Sequence, residues 1–522
     1  MGDRGVLAQI RSASVVGLEA SMVEVELDVS PGLPTFSIVG LPDTAVREAR
    51  ERVRAAVRNS GYEMPVRRIT VNLAPADTRK AGPVFDLPIA LGILTATRQI
   101  PPDALRGYIV VGELSLDGAV RPVPGVLSIA LAARGTGVRG VVVPAANAGE
   151  AALIAGIAVH PVRHLSEVGR ALRDQVPFAP LASSTRPAPA PPDGAVDYAE
   201  VRGQAHARRA LEIAAAGAHN VLMIGPPGAG KTMLARRLPT ILPPLTQEEA
   251  IEVTRIYSVT GRLRQQDPLI TDRPFRAPHH SASLQALVGG GLLPRPGEAS
   301  LAHLGVLFLD ELPEFRRDVL EALRQPLEEG QIAVARVHGA AVFPARCMLV
   351  AAMNPCPCGH LGDPGRACAC SPAQRGRYLR RLSGPLVDRV DLHVEVPRVG
   401  GADLVALAPG EPSADVRARV VRARTIQAAR GAGLGTTALA NGTVPPASAR
   451  ETWGLGGDGR KFLSRAIDRL FLSPRAYERI VRVARTIADL EGAGDIRVPH
   501  LAEALGYRSL DRPADPGGPE DP

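Results

Sequence analysis

Val221-Leu-Met-Ile-Gly225-Pro226-Pro227-Gly228-Ala229-Gly230-Lys231-Thr232 is the stretch whose reading decides the fold. Val221 to Ile224 is a short apolar run of the kind buried on both faces of a parallel sheet, and helical spacing begins at Thr232. The residues between fit G-x-x-x-x-G-K-[ST] in the strand, turn and helix context that the pattern requires. Glycines there let backbone N–H groups close around phosphate oxygens at a helix N-terminus, where the dipole favours negative charge. Lys231 is then placed for the β- and γ-phosphates of a nucleotide, and Thr232 for its magnesium. A glycine-rich turn without a ligand is the alternative, and the flanking strand and helix argue against it.

Working outward, Val306-Leu-Phe-Leu309 is a second buried strand, ending in Asp310 and Glu311. Alone, two acids at a strand end are an ordinary solvated turn. Beside a phosphate loop they acquire roles: Asp310 holds hydrated magnesium with Thr232, and Glu311 polarises the attacking water. Met348 to Ala352 is a third such strand, followed by Asn354, whose amide is placed to bond both the water and a γ-phosphate; a turn-forming Asn before Pro355 is the other reading. ATP and magnesium are the ligands this set predicts.

The chain has 522 residues, enough for about three domains at roughly 150 residues each. Met1 to Phe178 alternates strand and helix patterns: Val23, Val25, Leu27 and Val29 repeat every second residue, Ile69 to Leu73 is β-rich, and Asp43 to Ser60 carries apolar residues at helical spacing with Asp43 as N-cap and Gly61 as stop. The run Pro177 to Gly194, PFAPLASSTRPAPAPPDG, cannot pack a core and marks a linker, drawn at residues 179–196. An α/β unit over 197–397 follows, then a helical unit over 398–510 built on Asp415–Ala429, Lys461–Leu470 and Pro474–Leu490. The polar end from Asp511 is expected to be disordered.

Charge is a weak guide, since the net +8 is spread along the chain and almost all of it is Arg. Lys occurs only at 80, 231 and 461, which makes Lys231 more informative than usual. Aromatics are 3%, so base stacking has few candidates. No apolar run approaches the roughly 20 residues that span a bilayer, and Met1 to Ile10 lacks the apolar core of a secretion signal. A cytoplasmic protein with no membrane partner is the expectation.

Four of the five cysteines fall together as Cys356, Cys358, Cys368 and Cys370, a set able to give four thiolates to a tetrahedral zinc. Reduced thiols or a redox pair are the alternative, and His360 is a substitute ligand. Cys347 is expected on a buried strand as inert packing. Glu329 to Val342 alternates about a glycine-containing turn and predicts a β-hairpin. His279 and His280 are expected to be structural or interdomain residues.

The ordered set of Gly225 to Thr232, Val306 to Glu311, Asn354, Ser383-Gly-Pro-Leu-Val-Asp388-Arg389-Val-Asp391 and Ser473-Pro-Arg475-Ala resembles the magnesium-chelatase-like AAA+ ATPases, and among them is similar to the ComM/YifB group. The likeness runs from about Ile10 to Tyr507 and includes Arg273-Pro-Phe-Arg-Ala-Pro-His-His-Ser281 and Ala484-Arg-Thr-Ile-Ala-Asp-Leu490. It implies an AAA+ P-loop core, a parallel sheet with helices on both faces, followed by a helical lid and preceded by a Lon-protease-like, ribosomal-S5-type α+β domain. In that domain Lys80-Ala-Gly-Pro83 is followed by Val84 where active proteases carry serine, and Pro122-Val-Pro-Gly125-Val-Leu127 lacks the later lysine, so proteolysis is not expected.

The resemblance also implies a homo-hexamer in which Arg389 is an arginine finger reaching a neighbour's γ-phosphate, an element worth roughly 10³ to 10⁵ in rate. Arg381 is the rival finger, and a local pairing of Arg389 with Asp388 or Asp391 is the structural alternative. Arg475 would be the second sensor. Its place in the first turn of a helix capped by Ser473, with Pro474 at the first position, supports that assignment. The hairpin and the insertion around Leu284 to Leu293 would face a central channel, with Arg336 and His338 contacting DNA; a solvated His338 is the plainer reading. The implied activity is a DNA helicase or branch-migration translocase in DNA uptake or recombination. A chelatase-type ATPase remodelling a partner protein is the alternative, although no D-x-S-x-S metal-binding string is present.

Overall fold

The computed structural model describes residues 6–76, 80, 82–174, 180–181, 196–264, 266–291, 294–336, 339–363, 365–382, 384–399, 409–433, 440–445, 448–449, 453 and 455–511. The first part of the chain builds a seven-stranded mixed sheet from β1 (Val6–Val16), β2 (Glu19–Ser30), β3 (Thr35–Val39), β4 (Arg68–Ala74), β5 (Tyr108–Val110), β8 (Gly140–Pro144) and β9 (Ala158–Val162), in the order β3-β4-β2-β1-β5-β8-β9. A small ribbon of β6 (Glu113–Leu114) and β7 (Val120–Arg121) stands apart. Strands β1 and β2 form a long antiparallel pair closed by Gly17 and Leu18, with Gly17 at φ +64. The alternation in β2 sorts as its sequence requires, with Val23, Val25, Leu27 and Val29 buried.

The helix Thr44–Asn59 covers this sheet with Val46, Ala49, Val53, Ala56 and Val57. The Asp43 carboxylate accepts the Val46 N–H at 2.8 Å and caps it. Past Phe178 the Leu181 N–H still bonds the Val159 carbonyl at 2.8 Å, so the chain stays on β9 further than the linker boundary drawn from composition. The rest of the proline-rich run after Leu181 lies outside the described residues, as does the end beyond Asp511.

The second sheet is parallel throughout and holds β10 (Val221–Ile224), β11 (Phe275–Arg276), β14 (Val306–Leu309), β17 (Met348–Met353) and β18 (Leu392–Glu395), in the order β11-β14-β17-β10-β18. Its strands read as continuous apolar runs because both faces are covered. Val221, Met223, Phe308 and Val350 enter one core with the helix Lys231–Ile241, while Leu222, Leu307, Leu309 and Leu349 enter another with Ile256, Leu320 and Phe343. The insertion contributes helix Leu284–Val288 and the short pair β12 (Gly289–Gly290) and β13 (Arg295–Pro296); a hairpin of β15 (Gln331–Arg336) and β16 (Gly339–Pro344) follows.

Four helices, Ser413–Gly433, Gly457–Leu470, Pro474–Leu490 and Val498–Gly506, close the described chain. Val420, Ile480, Ala484, Ile487 and Leu501 join the core of the parallel sheet, so the helical part packs directly on it. Tyr477 and Val481, at helical spacing with Ile480 and Ala484, are only half-buried at the edge of that face. Among the described residues no helix is long and apolar enough to cross a membrane.

Candidate nucleotide site

The loop after β10, the carboxylates after β14 and the amide after β17 converge because those three strands are neighbours in one parallel sheet. Gly225 leaves β10 so close to β18 that a Cβ would lie 2.1 Å from the Val396 carbonyl oxygen. Gly228 and Gly230 have φ of +79 and +91, a region that favours glycine. The loop then opens the helix Lys231–Ile241, with Gly230 as its N-cap. This cradle, with N–H groups at the start of an eleven-residue helix, fits a phosphate chain.

Lys231 Nζ donates to the carbonyls of Gly225 at 2.6 Å and Pro226 at 3.0 Å and to Asn354 Oδ1 at 3.3 Å. Burial lowers the pKa of its ammonium, with Asp310 opposing. Thr232 Oγ1 donates to Asp310 Oδ2 at 2.7 Å, and the other Asp310 oxygen accepts the Glu311 N–H at 3.0 Å. A hydroxyl and a carboxylate oxygen side by side at the edge of a phosphate cradle are the hard oxygen donors that suit magnesium.

Glu311 is a non-glycine residue at φ +53 and its side chain is 58% exposed. His280 Nδ1 lies 3.2 Å from its Oε2, and the His280 ring meets Phe315 edge-on and leans on His279. His280, assigned to structure from sequence, thus stands on the proposed catalytic carboxylate. The signal that locates it is its place just beyond β11, the strand bordering β14.

The cysteine loop follows directly. Sγ of Cys356, Cys358, Cys368 and Cys370 all lie within 4.8 Å of one another, with separations of 3.4, 3.6 and 3.7 Å among the first three. Ligands at about 2.3 Å from a tetrahedral zinc stand about 3.8 Å apart, so the spacing fits that ion, whereas a disulfide needs about 2.05 Å. His360 is not part of the set; its ring faces Asp363 at 3.3 Å. Cys347 precedes β17 instead of lying on it, and burial pushes its thiol up to about 12. Gly359, at φ +84, runs so near the phosphate loop that a Cβ would come within 2.7 Å of Pro227 Cδ.

Arg389 is 5% exposed, its guanidinium bonded to Glu328 and to the Pro385 carbonyl. Its local partner is therefore neither Asp388 nor Asp391. Asp388 takes Arg475 at 3.3 Å, and Asp391 takes Arg479, His219 and the Asn220 N–H. Burial pushes the Asp391 carboxyl up, but Arg479 and His219 outweigh it and hold the group well below the usual carboxylate range. Arg381 pairs with Glu314 at 3.0 Å and is exposed. Arg475 sits in the first turn of Pro474–Leu490, where Ser473 Oγ accepts the Ala476 N–H. Arg336 ends β15, and its side chain, like the whole of His338, lies outside the described residues.

A glycine loop opening a helix, two strand-end acids and a set of helices packed on one parallel sheet accord with a magnesium-chelatase-like AAA+ ATPase, a class that binds and hydrolyses ATP with magnesium. Residues 197–404 match the family model of magnesium chelatase, subunit ChlI, residues 25–147 that of subunit ChlI of Mg-chelatase, and residues 410–508 that of the subunit ChlI C-terminal region. The chain is 46% identical over 509 residues to the uncharacterised protein YifB of Salmonella typhimurium, and 46% identical over 511 residues to competence protein ComM of Haemophilus influenzae. Each match covers 97% of this chain and 98% of the relative. A fainter match, 21% over 183 residues, takes in 33% of this chain and 22% of Lon protease 1 of Hydrogenovibrio crunogenus. The chain belongs to the magnesium-chelatase-like ComM/YifB family.

Proposed function

We propose that this chain is the subunit of a homo-hexameric, ATP-driven DNA motor, a helicase or branch-migration translocase working in the cytoplasm in DNA uptake or recombination. The observation that carries the ATPase chemistry is the contact of Thr232 with Asp310 beside Lys231 and Asn354. In this reading the backbone of Gly225 to Thr232 wraps the phosphates, Lys231 exchanges its loop carbonyls for phosphate oxygens, and Thr232 and Asp310 hold magnesium. The ion offsets charge on the phosphate oxygens. Glu311 orients the attacking water with His280 holding its carboxylate, and Asn354 reads the γ-phosphate. Arg389 leaves Glu328 to complete the site of the next subunit, and Arg475 serves as the second sensor from the lid.

The DNA assignment draws on the β15–β16 hairpin, on the Arg336 and His338 positions, and on a relative named for competence. In this reading the domains are an S5-type module without a protease nucleophile, a linker, the ATPase core and the lid. Zinc in the four-cysteine loop would be structural. The deciding experiment is the ATPase rate with and without single-stranded or branched DNA at fixed salt, because phosphate contacts weaken steeply with ionic strength. Stimulation by DNA that is lost in Arg336→Ala is expected. A rate indifferent to every DNA would turn the assignment to a protein-remodelling motor.

A further inference from the structure

The N-terminal sheet and the ATPase core exchange apolar residues. Leu18, at the turn between β1 and β2, is 7% exposed and belongs to the core that also holds Ile332, Val334, Ala341 and Phe343 of the β15–β16 hairpin. In return Ile251, from the helix Gln247–Val259, packs against the core of the N-terminal sheet. The approach is close, since a Cβ on Gly17 would come within 2.7 Å of the Ala341 Cβ. A Gly17 at φ +64 satisfies both the turn and this contact.

Polar groups lock the same place. Arg255, on the helix Gln247–Val259, donates to the Leu18 carbonyl at 2.5 Å and to Ser128 Oγ at 3.0 Å, and pairs with Glu19 at 2.9 Å. Ser128 donates to the Leu18 carbonyl as well, at 2.7 Å. One turn further along, the Ser258 carbonyl accepts the Gly125 N–H at 3.0 Å, and the Ser258 hydroxyl donates to Glu150, which is 5% exposed and also takes Asn147. The Arg255 guanidinium and the Ser258 hydroxyl find these partners across the contact, and parting would cost them those bonds.

We propose that the N-terminal module is a brace: it clamps the base of the β15–β16 hairpin to the helix Gln247–Val259 through Leu18 and Arg255, so that the hairpin is carried as one body with the ATPase core. This gives the module a mechanical task in place of peptide cleavage. The hairpin already lays Ile332 and Phe343 on the ATPase core; the module adds a second anchor against β16 at Ala341, and a two-stranded ribbon, marginally stable by itself, yields less under load when held at two places. The inference depends on the proposed DNA motor only for what the hairpin pushes; the brace itself is a property of the chain.

The test is hydrogen exchange on full-length Leu18→Ser and Arg255→Ala proteins. Amides of β15 and β16 are expected to exchange at least about tenfold faster in both variants, as a locally opened unit does. Amides of the helix Thr44–Asn59 should keep their protection and ATP its affinity. Arg255→Ala removes no core residue, so it keeps the test decisive if Leu18→Ser disturbs packing more widely. Hairpin exchange as slow as in the parent in both variants would overturn the proposal. DNA stimulation is read alongside. Faster hairpin exchange with stimulation lost supports brace and motor together, whereas faster exchange in a protein whose parent ignores DNA keeps the brace and removes the DNA reading.

Discussion

His280 Nδ1 stands 3.2 Å from Glu311 Oε2, so the carboxylate proposed to act on water is held by a ring from the neighbouring strand's loop. Glu311 also occupies a backbone region costly for a non-glycine residue, at φ +53. Strain and a dedicated partner on one side chain fit a group aimed for chemistry. Glu311→Gln is expected to bind ATP as the parent does and to lose turnover by about 10² to 10⁴. Lys231→Ala should lose affinity instead. His280→Ala should lower kcat by about tenfold with KM unchanged, the pattern of an interaction made only in the transition state. Steady-state ATPase and nucleotide-binding titrations separate the three, and a rise in kcat for His280→Ala would mean that the ring restrains Glu311.

Much of this site was legible because each of its parts ends a buried strand. Four apolar residues followed by a loop, two acids or an amide give a position, and a parallel sheet brings such positions to one edge. The order of the strands supplies the rest: β14 and β17 are adjacent, and β17 lies beside β10. His280 escaped the reading because β11 is only Phe275 and Arg276, too short for periodicity to register. The Arg389 partner was missed for a different reason. Glu328 lies 61 residues away, and nothing local distinguishes it from Asp388 and Asp391, which are engaged by Arg475 and Arg479 of the helix Pro474–Leu490. The union of the N-terminal module with the hairpin was equally hidden, since Leu18 in a turn looks like any surface residue until the tertiary contact is drawn.

The cysteine loop makes a prediction about nucleotide as well as metal. Purified protein should carry about one zinc per chain, and Cys368→Ser should reduce it, as metal analysis after gel filtration under reducing conditions will show. Because Gly359 is wedged against Pro227, stripping the metal should also weaken ATP binding, by several-fold. Cys347→Ser, outside the cluster, should change neither quantity. Metal-free protein with full nucleotide affinity would separate the loop from the phosphate site.

Asp391 ties the β18 edge to the helix Pro474–Leu490 through Arg479. Its carboxyl is held low in the folded chain by Arg479 and His219 against burial. The sign follows: stability from ionised Asp391 is fully present above the unfolded value of about 3.9 and is lost as pH falls below it towards the lower folded value. Asp391→Asn should therefore flatten the acid limb of the stability curve. At neutral pH, Arg479→Ala leaves the buried Asp391 carboxylate without its guanidinium, held only by His219 and the Asn220 N–H, and should cost up to about 3 kcal/mol in the helix Pro474–Leu490 and its sheet edge, measured as an earlier urea transition. An unaltered acid limb in Asp391→Asn would show that other carboxylates govern it.

The last prediction concerns the ring. If Arg389 completes a neighbour's site, Arg389→Ala subunits should bind ATP normally, because their own Lys231, Thr232 and Asp310 are untouched, and hydrolyse it poorly. Glu328→Gln, which removes the charge that holds Arg389 in the separate chain, should retain turnover, since the finger's work lies across the interface. Mixing Arg389→Ala with Glu311→Gln subunits should restore part of the lost activity: some interfaces then join an intact Glu311 from one variant to an intact Arg389 from the other, and neither parent contains such an interface. A purely local role predicts that mixing rescues nothing and that Glu328→Gln is damaging too, because it leaves the buried guanidinium of Arg389 without its carboxylate. Light scattering with ATP must show that both variants assemble and that subunits exchange. Assembled mixtures without recovered turnover would move the finger to Arg381, which is already exposed beside Glu314.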